Sequence, residues 1–251
     1  MSSITDVYSP RTTFRCTRLR GAKVGSSVCQ FCAVGCSQLG FFKDGKLIDV
    51  EGDPRSAVNE GRLCPKGSST YALNENPYRK VKPMYRAPGS DHWEEVSLDW
   101  MLNTVAKRIW DTRNKGFVEK DPTTGITVNN CANIGFIGGS ANDNEECYLF
   151  RKLFTGGLGI LPVENSARYC HSTTVAALSP TFGFGACTNP PRDLLNSDCI
   201  LIMGSNMAEA HPCAFYWPMQ AKKKGAVTIH VDPRYTRTSA ACDHHVHIRP
   251  E

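Results

Sequence analysis

Apolar and polar positions alternate over Gln38-Leu-Gly-Phe-Phe42 and again over Leu47-Ile-Asp-Val50, with Lys43-Asp44-Gly45-Lys46 between them. A period of two broken by Asp-Gly predicts two strands joined by a tight reversal. Gly52-Asp53-Pro54 closes this hairpin, and residues 24–51 as a whole read as short strands and turns. Residues 1–22 are polar and aperiodic, which predicts an extended arm. Pro77, Pro83 and Pro88 punctuate a linker, and Tyr85-Arg-Ala-Pro-Gly-Ser90 reads as an exposed turn. The period then lengthens. Leu98, Met101, Leu102, Val105 and Ile109 recur at helical spacing behind Ser97, a capping residue, with Asp99 in the first turn. That pattern predicts a helix with one buried face.

The second half alternates strand and helix signals. Ile134-Gly-Phe-Ile137 predicts a short buried strand, followed by Gly138-Gly139-Ser140 and a helix over 142–158. Cys199-Ile-Leu-Ile-Met203 predicts another strand ending at Gly204-Ser205-Asn206. A helix over 208–224, irregular at Pro212 and Pro218, stops at Gly225. Val227-Thr-Ile-His-Val231 is the next strand, ending at Asp232-Pro233-Arg234. Strand, helix, strand implies a parallel pair with a right-handed crossover. The predicted fold is α/β: a small β-rich lobe and linker over residues 1–84, then a Rossmann-like parallel-sheet domain over 85–251.

Composition narrows the function classes. The chain has 251 residues and a formal charge of +5, with Lys222-Lys223-Lys224 as its longest basic run. That balance does not describe a nucleic-acid binder. No apolar run is long enough to cross a bilayer, and the N-terminal residues lack a secretory h-region. The expected compartment is therefore the cytoplasm, or the periplasm if the chain travels with a signal-bearing partner.

The twelve cysteines carry the chemistry. Cys29-Gln-Phe-Cys32-Ala-Val-Gly-Cys36 supplies three thiols in eight residues, and Cys64-Pro65-Lys66-Gly67 supplies a fourth. Four thiolates can hold an iron–sulfur cube or a tetrahedral zinc. The C-x2-C-x3-C…C-P order favours a [4Fe–4S] cluster, because structural zinc sites usually pair their cysteines two and two. Cys131, Cys147, Cys187, Cys199, Cys213 and Cys242 stand singly and read as buried core thiols. Cys170-His171 sets a thiol beside an imidazole: a nucleophile or soft metal ligand with a proton acceptor, or a core Cys next to a satisfied His. Lys66 reads either as solvated surface or as a charged bridge from the cluster to a second redox centre. The ends of the predicted strands are candidate anion sites. There Asp232 could accept from ribose or guanine and Arg234 could meet a phosphate, or the glycines simply turn the chain.

Taken in order, several segments together resemble the molybdenum/tungsten bis-pterin oxidoreductases, and among them the large subunit of formate dehydrogenase. They are Cys29–Cys36 with Arg62–Gly67, Tyr85–Asp91, Asn165–His171, Thr181–Gly185, Gly204–Asn206 with Ala208–Pro212, and Val231–Thr238. The resemblance implies that Cys29, Cys32, Cys36 and Cys64 bind the [4Fe–4S] cluster and that Lys66 lies between cluster and pterin. Cys170 would ligate Mo or W, at a position where family members often carry selenocysteine, with His171 assisting substrate or proton. Ser140, Asn144, Gly204, Ser205, Asn206, Glu209, Asp232, Pro233 and Arg234 would bind molybdopterin guanine dinucleotide.

The implied reaction is oxidation of formate to CO2, or its reverse, with electrons leaving through the cluster. The family's subunit is several times longer, so the expected partners are a complementary chain carrying the rest of the catalytic subunit and an iron–sulfur electron-transfer subunit. Two other readings stand beside it: a bis-pterin nitrate reductase, and an electron-transfer module without pterin.

Overall fold

The computed structural model describes the backbone of residues 2–3 and 18–250, and the side chains of 18–250 other than those of Ala167, Cys170 and His171. Residues 1 and 4–17 of the arm expected over residues 1–22 therefore lie outside the described residues.

The chain starts with an antiparallel sheet of four strands in sequential order: β1 (Ser2–Ser3), β2 (Lys23–Val28), β3 (Ser37–Lys43) and β4 (Lys46–Gly52). The hairpin read from the sequence is β3–β4. Asp44 and Gly45 form its two-residue loop, and both have positive φ, 49° and 77°. That is the backbone twist a tight hairpin needs, and Asp-Gly accommodates it at little cost. Leu19, Ala22, Val24, Leu39 and Phe41 pack into a buried cluster under one face. Two short helices follow, α1 (Pro65–Ser68) and α2 (Thr70–Asn74).

Next come a two-stranded ribbon of β5 (Met84–Tyr85) and β6 (Glu94–Glu95), and the helix α3 (Leu98–Gly116). Ser97 caps α3 by accepting from the Trp100 backbone N–H, as its type predicts. The buried face does not follow: no described residue of α3 is buried. Leu98, Trp100, Leu102, Val105 and Trp110 are all exposed. Periodicity specifies which residues share a face, and it cannot specify what covers them.

Strands β7 (Phe117–Lys120) and β8 (Thr127–Cys131) form a hairpin, and β9 (Phe136–Gly138) pairs parallel with β10 (Val163–Asn165). Between the latter two lie α4 (Asn144–Arg151) and a π-helical turn (Lys152–Gly157). Asp143 and Glu146 form a capping box, so α4 starts two residues later than expected. β9 is not the buried strand predicted: Ile137 is 69% exposed, and Phe136 instead stacks on Phe154 at 4.3 Å. The helix α5 (Ser166–Phe182) follows β10 directly.

After a 3-10 turn (Pro191–Asn196) the chain builds its second parallel sheet, in the order β11 (Cys199–Met203), β12 (Val227–Val231), β13 (His244–Val246). The single helix expected between β11 and β12 is two, α6 (Met207–Ala210) and α7 (Pro212–Lys223), separated at His211. Proline at the first turn of α7 lacks an N–H and disfavours helical geometry in the residue before it, which places the break there. α8 (Arg237–Ala241) connects β12 to β13. Ile200 and Ile202 of β11 pack with Phe215, Ala221 and Ala226. The opposite face of β11 carries exposed Leu201 and Met203.

The molecule is mixed α/β with small sheets. Its contacts define two compact units, Met1–Pro77 with Cys187–Glu251, and Tyr78–Ala186. The sequence-based division at 84/85 differs from this grouping, because the βαβ segment over 187–251 packs on the N-terminal lobe. Trp217 of α7 donates its indole N–H to the Val58 carbonyl at 3.1 Å, and the Arg62 guanidinium lies 3.7 Å from the Tyr216 ring centre.

Candidate functional site: a thiol cluster beside a parallel sheet edge

The loop between β2 and β3 carries Cys29, Cys32 and Cys36. The Cys29 N–H donates to the Cys36 carbonyl at 2.8 Å, and Gly35 takes φ +65° in the bend. Cys64 stands at the N-cap of α1. Asn59, 1% exposed, ties these pieces together. Its side-chain amide donates to the Ser37 and Arg62 carbonyls at 3.0 and 2.8 Å, and its oxygen accepts from the Ser37 N–H at 3.0 Å. One buried amide thus fixes the residue after Cys36 against the segment leading to Cys64.

Cys29 and Cys36 are buried together, with Cys64 partly buried against them. Burial, then the neighbouring thiols of Cys213, Cys29 and Cys32, push Cys36 up to about 12. Such mutual influence puts Cys32 within electrostatic reach of the others. Among the described residues, no three His, Cys, Asp or Glu groups converge closely enough to hold a single metal ion. A cube offers four separate iron corners, so its ligand sulfurs spread wider than those around one ion. Cys29, Cys36 and Cys64 packed together, with Cys32 on the same short loop, are soft thiol donors that fit that group.

Sequence reasoning missed the fifth thiol here. Cys213, at the start of α7, packs with Cys29 and Cys36. Nothing in its local pattern separated it from the other single cysteines. Of those six, Cys131 and Cys213 are buried and Cys242 is partly so, whereas Cys147, Cys187 and Cys199 are exposed, contrary to the expectation of core thiols. Cys147 sits on α4, which has no buried residue, and Cys199 lies on the uncovered face of β11.

Lys66 follows Cys64 and Pro65 on α1. Its ammonium donates to the Glu209 and Ala210 carbonyls of α6, at 2.9 and 3.2 Å. It is therefore no free surface lysine. His211 is next in sequence; burial first, then the Lys66 charge, pulls its imidazole below the usual range. Its Nδ1 is buried and has no hydrogen-bond partner among the described residues.

Gly204, Ser205 and Asn206 turn the chain from β11 into α6, with Gly204 at φ +64°. Asn206 donates to the Glu209 carboxylate and accepts from the Thr238 hydroxyl at 3.0 Å, while Arg237 pairs with Glu209 at 3.2 Å. Under this turn lies His230, fully buried, with Nε2 3.1 Å from the Ser205 carbonyl and Nδ1 2.8 Å from the Ser239 hydroxyl. Because the Ser205 carbonyl can only accept, Nε2 carries the hydrogen and donates to it, and Nδ1 of that tautomer accepts from the Ser239 hydroxyl. His230 is a polar residue in an apolar strand, a signal that does not by itself say which groups it supports. Asp232, buried beyond β12, accepts from the Arg234 N–H at 2.7 Å across Pro233. Both turns lie at the carboxyl ends of parallel strands, where ligands bind in open α/β sheets.

Ser140 and Asn144 belong to the other unit and are exposed. Ser140 follows Gly139, whose N–H donates to Asn142 at 2.9 Å, and Asn144 opens α4. The backbone of Cys170 and His171 runs within α5. Their side chains lie outside the described residues.

Two family models cover the chain: the molybdopterin oxidoreductase Fe4S4 domain over residues 22–76 and molybdopterin oxidoreductase over 79–251. The chain belongs to the molybdopterin oxidoreductases. Its relatives include the formate dehydrogenase alpha subunit of Megalodesulfovibrio gigas, 52% identical over 91% of this chain and 22% of that one. The formate dehydrogenase-O major subunit of Escherichia coli is 41% identical over 89% of this chain and 22% of that one. The F420-dependent formate dehydrogenase alpha subunit of Methanocaldococcus jannaschii is 32% identical over 91% and 31%. The chain therefore spans under a quarter of the first two relatives' length. Acetylene hydratase from Pelobacter acetylenicus shares the fold, with a TM-score of 0.62 at 19% identity over 89% of this chain and 29% of that one. The two domains of this molybdopterin oxidoreductase imply a [4Fe–4S] cluster and a Mo or W pterin as cofactors.

Proposed function

We propose that this chain is the N-terminal part of a formate dehydrogenase catalytic subunit, with the cluster lobe and linker over 1–84 and the first part of the pterin domain over 85–251. The observation that carries the reading is Lys66. Two residues past the fourth thiol, its ammonium is fastened to the α6 carbonyls, next to the turn expected to hold pterin dinucleotide. A fixed cation between two anionic groups lowers the cost of burying both. Formate dehydrogenase relatives at 41–52% identity support the choice of substrate.

In this reading Cys29, Cys32, Cys36 and Cys64 hold the [4Fe–4S] cluster. Gly204, Ser205, Asn206, Glu209, Asp232, Pro233 and Arg234, with Ser140 and Asn144, bind molybdopterin guanine dinucleotide. Asp232 accepts from ribose or guanine, and Arg234 neutralises phosphate. Cys170 ligates the metal, and His171 takes up a proton at its imidazole. Bound Mo or W pterin supplies a two-electron acceptor for formate oxidation and the cluster a one-electron exit. A complementary chain completes the subunit and an iron–sulfur subunit takes the electrons. The cytoplasm is the compartment, unless a signal-bearing partner exports the complex.

The test is elemental analysis and activity of the complex purified with its co-purifying chains. Iron together with Mo or W, and formate-dependent dye reduction, are expected. Iron without either metal would make it an electron-transfer module, and nitrate reduction without formate oxidation would reassign the substrate.

A further inference from the structure

Strand pairing between β11 and β12 ends at Met203 and Val231. The Gly204 N–H adds one bond to the Val231 carbonyl, at 3.0 Å. Past that point the backbone ladder no longer holds the turn after β11 against the turn after β12, and side chains take over. His230, one residue short of the end of β12, is fully buried. Its Nε2 donates to the Ser205 carbonyl at 3.1 Å, and its Nδ1 accepts from the Ser239 hydroxyl at 2.8 Å. Ser239 in turn accepts from the Thr236 N–H at 2.9 Å, inside the capping box that starts α8. A one-directional chain of hydrogen bonds therefore runs from the N-cap of α8, through one imidazole, to the turn after β11. Thr238 ties the same pieces a second time. Its hydroxyl accepts from the Ala208 N–H at 2.9 Å and donates to Asn206 Oδ1 at 3.0 Å.

A buried imidazole is a poor filler for an apolar strand. Its nitrogens cost free energy unless both are bonded, and a β-branched residue packs there without that cost. In the tautomer that donates from Nε2, the ring has one N–H, and Ser205 takes it. The Asp232 carboxylate Oδ2 stands 3.9 Å from the same nitrogen, beyond hydrogen-bond length. The imidazole thus shapes the edge without drawing on the Asp232 acceptor. We infer that His230 is a positioning residue of the dinucleotide edge: it sets the spacing between the turn after β11 and the start of α8, and through it the hold on the guanine dinucleotide. The inference rests on the pterin-dinucleotide reading given above. Its physical basis is preorganisation: a site whose two walls already stand at their bound spacing loses less binding free energy to ordering them.

The experiment compares wild type, His230→Asn and His230→Gln in the purified complex. The asparagine carbonyl reproduces the Nδ1 acceptor and the glutamine amide the Nε2 donor, so each variant keeps one bond and loses the other. Each complex is incubated below its melting temperature and desalted at intervals. Bound dinucleotide is counted as guanosine monophosphate set free by acid, and iron is counted in the same samples. The dinucleotide should leave about three- to tenfold faster in both variants, since one hydrogen bond is lost and affinity changes act mainly on release. Iron should stay at the wild-type level. That second readout separates positioning from a merely structural role, because general loosening of the unit would release both. Release at the wild-type rate in either variant overturns the inference, as does iron loss in step with the nucleotide. If only one variant folds, it decides by the same two readings. If neither folds, Ser239→Ala decides, and release no faster than wild type overturns the inference. A wild-type complex that yields no guanosine monophosphate sinks the dinucleotide reading itself, before any substitution is made.

Discussion

Asp243 shows how much one exposed carboxylate can organise. It accepts from the Thr228 N–H at 2.9 Å and the Thr228 hydroxyl at 2.8 Å, and pairs with Lys222 at 3.0 Å. The backbone bond from Thr228, then the Lys222 and Thr228 side chains, hold it far below the usual carboxylate range. A carboxyl depressed in the folded state contributes stability above its ordinary value of 3.8. That stability is lost as pH falls through the depressed value. Asp243→Asn should therefore lower the melting temperature at neutral pH and flatten its decline below about pH 4. Melting curves between neutrality and about pH 3 check this, and an unchanged acid slope would count against it. Residue identity alone did not announce this role, since Cys242-Asp243-His244 carries no motif. Cys213 is the same kind of case. Its importance comes from the thiols it meets, which sequence separation hides.

At the scale of elements, the strongest constraint is a backbone crossing. A Cβ on Gly52, at the end of β4, would stand 2.4 Å from the Gly61 carbonyl oxygen. Backbone cannot rotate away as a side chain can. Gly52→Ala should cost about 3 kcal/mol, in the range of overpacked cores, and lower the melting temperature by roughly 6–12 °C. Calorimetry or a thermal melt measures this; a shift under about 2 °C would mean that the crossing yields. The elements themselves were largely legible. The β3–β4 hairpin, the Ser97 cap and the β11–β12 crossover follow from turn chemistry and period, both local properties. What stayed hidden was mostly non-local, the uncovered face of α3 and the packing of 187–251 on the first lobe, whereas the capping box that delays α4 is a local motif, Asp143 to Glu146, that the period of the apolar residues did not bring out. The turns of the candidate pterin site could be placed because they end apolar strands. The support from His230 and Thr238 could not, because hydrogen-bond partners are chosen in three dimensions.

For the whole molecule, the telling feature is uncovered apolar surface. Leu98, Leu102, Val105 and Trp110 on α3, and Leu201 and Met203 on β11, are each more than 45% exposed. Contiguous apolar faces of this kind mark interfaces. Under the proposal, segments corresponding to the remaining length of the relatives cover them. Expressed without those segments, the chain should bind an apolar dye such as ANS and self-associate in light scattering. Co-expression with a chain supplying them should suppress both. A monodisperse, dye-free chain that loads pterin unaided would refute the need for a complement.

The bond from Lys66 to α6 also sets an order of events during synthesis. Both partners belong to one compact unit, yet more than a hundred residues separate them. At roughly 5–20 residues per second, the ribosome delivers Cys64 some 7–30 s before Cys213. For that interval the four thiols have emerged, but the wall that α7 contributes has not. Iron donors that act after release meet a finished pocket, whereas those acting on the nascent chain meet an open one.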